Sequence, residues 1–148
     1  MKQRNDIGFK VRILSNLIKR DVEKSKSQLG FELPPGVNGW AITYFFDNRD
    51  KDVFQKDFET EFSIRRSTAS NILKTMEQNG FITRESVDYD ARLKKIALTD
   101  KAIKIHKAVL NNRDKREERL RKGLTDDEID VFLKTCDRLI ANMEETND

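Results

Sequence analysis

Between Arg65 and Lys95 the chain gathers the side chains best suited to gripping a nucleic acid. Ser67, Ser70, Asn71 and Lys74 recur at threes and fours, a spacing that puts them on one face of an α-helix. Short hydroxyl side chains let such a helix approach base edges in a major groove, where Asn can pair with adenine and Arg or Lys with guanine. Arg66 and Lys74 supply those cations, and Arg65 joins them at the helix start. Thr68, in the first turn, suits a phosphate held at the positive end of the helix. Arg92 falls in a polar segment between two predicted strands and suits an adjacent minor groove, where a narrow groove concentrates negative potential. Arg84, Lys94 and Lys95 would follow the flanking phosphate backbone.

Charge placement agrees. From Ser63 to Lys95 there are seven basic and four acidic residues, so this segment carries the whole net charge of +3 and the remainder is neutral. An excess confined to one stretch is expected where only that stretch meets a polyanion. Catalytic chemistry finds little material. One histidine (His106) and one cysteine (Cys136) argue against a zinc site and exclude an internal disulfide, and no glycine-rich phosphate loop or serine-nucleophile motif occurs. The sequence therefore predicts a non-enzyme without cofactor or metal. It has no run of about 18 apolar residues that could span a membrane. The start, Met1-Lys2-Gln3-Arg4-Asn5-Asp6, lacks the apolar core of a secretory signal, so a cytoplasmic location is expected.

The elements that position these residues follow from periodicity. Ile7, Val11, Leu14, Leu17, Ile18 and Val22 predict a first helix over 6–28, and Leu33-Pro34-Pro35-Gly36 breaks the chain after it. Asn38 is placed to cap a second helix, 39–48, whose Trp40, Ile42, Tyr44, Phe45 and Phe46 should be core. A short helix is expected over 53–62. The fourth, 65–79, turns Ala69, Ile72, Leu73 and Met76 inwards, opposite the polar face, and Gly80 suits its left-handed end with Phe81 folding back. Alternation then predicts strands 81–86 and 94–98, with Ile82, Ile96 and Leu98 facing inwards, joined by a polar turn of at least seven residues. Two helices finish the chain. Thr99 caps the first and Gly123 ends it; Thr125 and Glu128 form a capping box for the second, with Leu124 and Ile129 as a hydrophobic staple.

The expected fold is mainly α with a small β-hairpin wing: a winged helix-turn-helix (38–98) between an N-terminal dimerisation helix (6–30) and C-terminal dimerisation helices (99–148). The terminal stripes are longer than one small winged domain can cover, which points to a second copy of the chain. Such a homodimer would set two recognition helices roughly 34 Å apart and read a pseudo-palindromic duplex. The rival interpretations are a merely solvated polar face on helix four, or a winged helix that binds a partner protein. His106 reads as a packed or interface residue rather than a ligand, and Cys136 as a small core residue.

These segments resemble the MarR family of bacterial transcription regulators. The likeness runs through Ile64-Arg65-Arg66-Ser67-Thr68-Ala69-Ser70-Asn71-Ile72-Leu73, Met76-Glu77-Gln78-Asn79-Gly80-Phe81-Ile82-Thr83-Arg84 and Asp90-Ala91-Arg92-Leu93-Lys94-Lys95-Ile96-Ala97-Leu98-Thr99. It implies a homodimer with interlocking terminal helices, a recognition helix in the major groove, Arg92 in the minor groove, and Asp90 bracing the wing against a basic group. It also implies a repressor relieved by a small amphipathic or phenolic effector, whose contact residues the sequence does not single out. Arg65 stands where the family often has a serine cap, Ala91 replaces a common arginine, and Ala102 a frequent glycine.

Overall fold

The computed structural model describes residues 5–27, 33–34 and 37–145. Pro35 and Gly36 of the expected break, and the expected helix end at Gln28, lie outside this set. Among the described residues there are six helices and one two-stranded antiparallel hairpin. Two compact units compose the chain, the first ending at Asn112 and the second beginning at Arg113.

In the first unit, α1 (Ile7–Ser27) starts where the Asp6 carboxylate accepts the Phe9 N–H at 2.7 Å, satisfying one of the free donors of the first turn. None of its residues is buried; Ile7, Val11, Leu14 and Leu17 are exposed. α2 (Gly39–Asp47) begins at Asn38 through backbone alone: the Asn38 carbonyl accepts from Ala41 and Ile42, and its side chain makes no capping bond. The expected side-chain cap is thus absent. Gly39 is required by packing, since a Cβ there would lie 2.7 Å from Val109 Cγ1.

α3 (Gln55–Glu61) is shorter than expected: Phe54 is its N-cap, with its backbone N–H held by the Asp57 carboxylate at 2.9 Å, and the Val53 carbonyl before it accepts the Ile96 N–H at 2.8 Å. Phe58 is fully buried at the centre of an aromatic cluster with Trp40, Tyr44, Phe45 and Phe62. Trp40 corrects the core expectation. It is 40% exposed on the rim of that cluster, stacked on Phe58 with ring centroids 5.6 Å apart and tilted against Phe62 at 4.3 Å.

α4 (Arg66–Gln78) buries Ala69, Leu73 and Met76 completely and Ile72 in part. Its end closes as a Schellman motif: the Phe81 N–H reaches the Met76 carbonyl, the Gly80 N–H reaches Glu77, and Gly80 takes φ +75°. The turn before α4 has the same bonding, Ile64 to Glu59 and Ser63 to Thr60, but with a serine at the left-handed position, φ +46°.

β1 (Ile82–Val87) and β2 (Asp90–Leu98) pair in the register Ile82 to Leu98, Arg84 to Ile96 and Ser86 to Lys94. The expected seven-residue turn is overturned, because pairing resumes at Val87 with Asp90 across a two-residue Asp88-Tyr89 turn. Ala91, Arg92 and Leu93 are accommodated as a bulge in β2, which interrupts the alternation that would have announced a strand. α5 (Asp100–Arg121) is capped by Thr99, whose Oγ1 accepts from Ala102 and donates to the Gly80 carbonyl. It buries His106 against Phe46, with ring centroids 3.9 Å apart.

The second unit begins within α5 and contains α6 (Asp126–Glu144). Thr125 and Glu128 form the expected capping box, each side chain accepting the other's backbone N–H at 3.1 and 2.8 Å. α6 buries none of its residues: Val131, Phe132, Leu133, Ile140 and Met143 are all more than half exposed. Cys136 is half-buried.

Candidate nucleic-acid interface

Three fully buried residues fix how α4 is turned, and the opposite side is left to solvent. Arg65, Arg66, Ser67, Thr68, Asn71 and Lys74 are all exposed. Arg65 and Arg66 stand at the N-cap and first position, with no acidic residue in the first turn. Cations there oppose the helix dipole, an arrangement that stabilises only when an anion sits at the helix end. Ser70 differs from its neighbours. It is half-buried and accepts a hydrogen bond from Gln55 Nε2 of α3 at 2.9 Å.

The bulge in β2 throws Arg92 outwards, leaving its side chain 89% exposed. Asp90 holds it. One carboxylate oxygen accepts the Arg92 backbone N–H at 2.9 Å and Nε at 3.2 Å, and the other accepts Nη2 at 3.2 Å. Hydrogen bonding from the guanidinium, then from the backbone, keeps the Asp90 carboxyl below its ordinary pKa. Lys94 is exposed and donates to Ser86 Oγ.

Arg84 lies differently from a residue free to follow a phosphate backbone. Directly opposed residues share a face of the ladder, so pairing with buried Ile96 puts Arg84 on the inner side. There it is 28% exposed and ion-paired with Glu77 at 3.6 Å, joining the hairpin to α4. A second tie, invisible to motif reading, runs to the α2–α3 loop. Tyr89 at the wing turn donates its hydroxyl to Asp52 at 3.1 Å, and Lys95 lies 3.7 Å from the same carboxylate and 3.8 Å from Glu85. Partial removal from water, then the Asp52 hydrogen bond and charge, raise the Tyr89 phenol above its usual pKa. Gln55, Asp52 and Tyr89 were missed because their partners are remote in sequence and follow no period.

Beside the wing, a cavity of about 370 Å³ has an apolar side that includes Phe45, Phe46, Ile96 and Ile103, and a rim of mixed charge made by Arg49, Lys51 and Lys95 with Asp50, Asp52 and Glu85. Among the described residues no group of three or more His, Cys, Asp or Glu is disposed to hold a metal, and no helix is long and apolar enough to cross a membrane.

An inward-anchored helix followed by a hairpin carrying an exposed arginine defines the class: a winged helix-turn-helix of the kind found in transcription regulators. The MarR family model matches residues 44–93, from α2 to the wing bulge. Over its length the chain is similar to the transcription regulator MarR from Oenococcus oeni PSU-1, with 29% identity, 92% of this chain and 99% of that one covered, and a TM-score of 0.77. It is also similar to the heme sensor protein PefR from Streptococcus agalactiae in complex with heme (28% identity, 98% and 100% covered, TM-score 0.64). The S. aureus MepR–DNA complex shares the fold at 20% identity, with 93% and 96% covered and a TM-score of 0.81. No match was found among curated protein sequences. The chain is thus recognised as MarR-like, with the fold of that family's transcription regulators.

Proposed function

We propose that the chain is a sequence-specific, double-stranded-DNA-binding transcription regulator that works in the bacterial cytoplasm as a homodimer. The observation that carries this reading is the exposed polar face of α4, opposite fully buried Ala69, Leu73 and Met76, with Arg92 held out beside it. α4 enters the major groove with Arg66, Ser67, Ser70, Asn71 and Lys74 towards base edges, while Arg65 and Thr68 meet phosphate. Arg92 enters the minor groove, braced by Asp90, and Lys94 follows the backbone. Arg84 contributes by tying the wing to α4 through Glu77 rather than by reaching phosphate.

Dimerisation is supported by the apolar stripes that α1 and α6 leave exposed, which a second copy of the chain would cover. Regulation is repression relieved by a small effector. The similarity to PefR, a heme sensor, supports a ligand-responsive regulator. The cavity beside the wing suits an amphipathic molecule, which would favour a wing position unfit for the operator.

Selection of bound sequences from a random duplex library tests the reading. An inverted repeat with half-sites about one helical turn apart is expected. Absence of any enriched motif, or affinity that ignores salt, would favour a protein-binding winged helix instead.

A further inference from the structure

α3 and α4 meet through a polar contact as well as through their apolar faces. Gln55, the first residue of α3, directs its side-chain amide at α4, with Nε2 2.9 Å from Ser70 Oγ and 3.5 Å from the Arg66 carbonyl oxygen. A backbone carbonyl can only accept, so the amide edge turned to α4 is the NH2 group. Ser70 is therefore the acceptor of the bond from Gln55. One lone pair of its oxygen is occupied, and its hydrogen has to turn away from the amide. Thr75, in the same helix, points its hydroxyl at the Asn71 carbonyl one turn back at 2.9 Å, whereas Ser70 is engaged from α3.

We infer that Gln55 sets the hydrogen-bonding polarity of Ser70 and thereby helps decide which base pair α4 selects; this rests on the DNA-binding function proposed above. An unrestrained serine hydroxyl rotates to donate or accept as its surroundings require, and so reads bases loosely. With Gln55 donating to it, Ser70 offers its hydrogen outwards and favours an acceptor on the base edge. In a major groove those acceptors are guanine N7 and O6, adenine N7 and thymine O4, and guanine presents two of them side by side. Gln55 touches no base in this scheme. It is a positioning residue acting through Ser70, and one neutral hydrogen bond of this kind discriminates by about five- to tenfold.

Gln55→Glu reverses the polarity with almost no change of shape, and a carboxylate is welcome at a helix start. Having no donor, Glu takes the Ser70 hydrogen and leaves lone pairs facing outwards. Sequence selection from a random duplex pool is compared for the wild type, Gln55→Glu, Ser70→Ala and the double variant, with thermal melts as the folding control. The expected result is a shift at one position of each half-site, by about five- to tenfold, from guanine towards the donor edges of adenine N6 or cytosine N4. Ser70→Ala is indifferent at that position, and the double variant matches it. Gln55→Met, which keeps the bulk and removes both polar atoms, drops to the same indifference even if Gln55→Glu folds poorly. If the wild type selects a motif and both Gln55 variants select the same one, the inference is overturned while DNA binding stands. A Glu-dependent shift that survives loss of Ser70 overturns it equally. If the wild type selects nothing, the DNA-binding proposal itself falls.

Discussion

Replacing Arg92 with alanine separates a wing that grips DNA from one that merely decorates the surface. The side chain is 89% exposed and its partner is Asp90, two residues away in the same strand. An exposed local ion pair contributes little to folding, so the melting temperature should barely move. Binding should respond strongly. Loss of one inserted arginine weakens binding by about 1–3 kcal/mol, so a dimer that loses two is weakened by about 2–6 kcal/mol. Each neutralised phosphate contributes about −0.9 to the slope of log K against log salt, so removing one arginine from each protomer of a dimer makes the slope less negative by about 1.8. The variant also leaves the Asp90 carboxylate facing the duplex without its cation. Asp90→Asn in the Arg92→Ala background should therefore recover part of the lost affinity. Fluorescence anisotropy titrations of a selected duplex across a salt series measure all of this. Unchanged affinity and slope for Arg92→Ala would refute the reasoning, because an exposed arginine inserted into DNA cannot be lost silently.

Other consequences concern the scaffold. Gly39→Ala brings a methyl group to 2.7 Å from Val109 Cγ1 and should destabilise by about 1–3 kcal/mol in chemical denaturation. In a Val109→Ala background the same change should be nearly neutral, and equal losses in both backgrounds would contradict the packing argument. Ser63→Gly relieves a left-handed serine at φ +46° and should stabilise by about 0.5–1 kcal/mol, after the entropy of glycine offsets part of the gain; a lower melting temperature would contradict this. Tyr89 loses its hydrogen bond to Asp52 only on ionising. Its folded pKa is raised, so the tie is intact below the ordinary value of 10.0 and is lost as pH rises through the raised one. Spectrophotometric titration in a Tyr44→Phe background should show the Tyr89 midpoint falling when Asp52→Asn is added, though removal from water still holds it up; an unmoved midpoint would remove Asp52 as a contributor.

Local rules carried the helices further than the wing. Thr125 and Glu128 satisfy each other's backbone, and Gly80 closes α4 with a Schellman pair, because such devices depend only on neighbours in sequence. The inward face of α4 was legible from Ala69, Leu73 and Met76 for the same reason. The wing was not. Its strands reach a two-residue turn, and the Ala91-Arg92-Leu93 bulge destroys the alternation by which a strand is recognised. Asn38 shows the converse, a residue of capping type whose cap position is closed by backbone alone. Contacts between elements stayed hidden altogether. Gln55 with Ser70, Arg84 with Glu77 and Asp52 with Tyr89 join separate elements, and only the folded backbone brings them within reach.

Hydrogen–deuterium exchange of the whole chain, with and without a selected duplex, asks most directly which surface meets DNA. Added protection confined to α4, the turn before it and the wing from Ile82 to Leu98 is expected, with α1 and α6 unchanged. Protection that instead gathers on the terminal helices, leaving Ser67 to Lys74 and Arg92 as they were, would contradict the assignment of that face to nucleic acid.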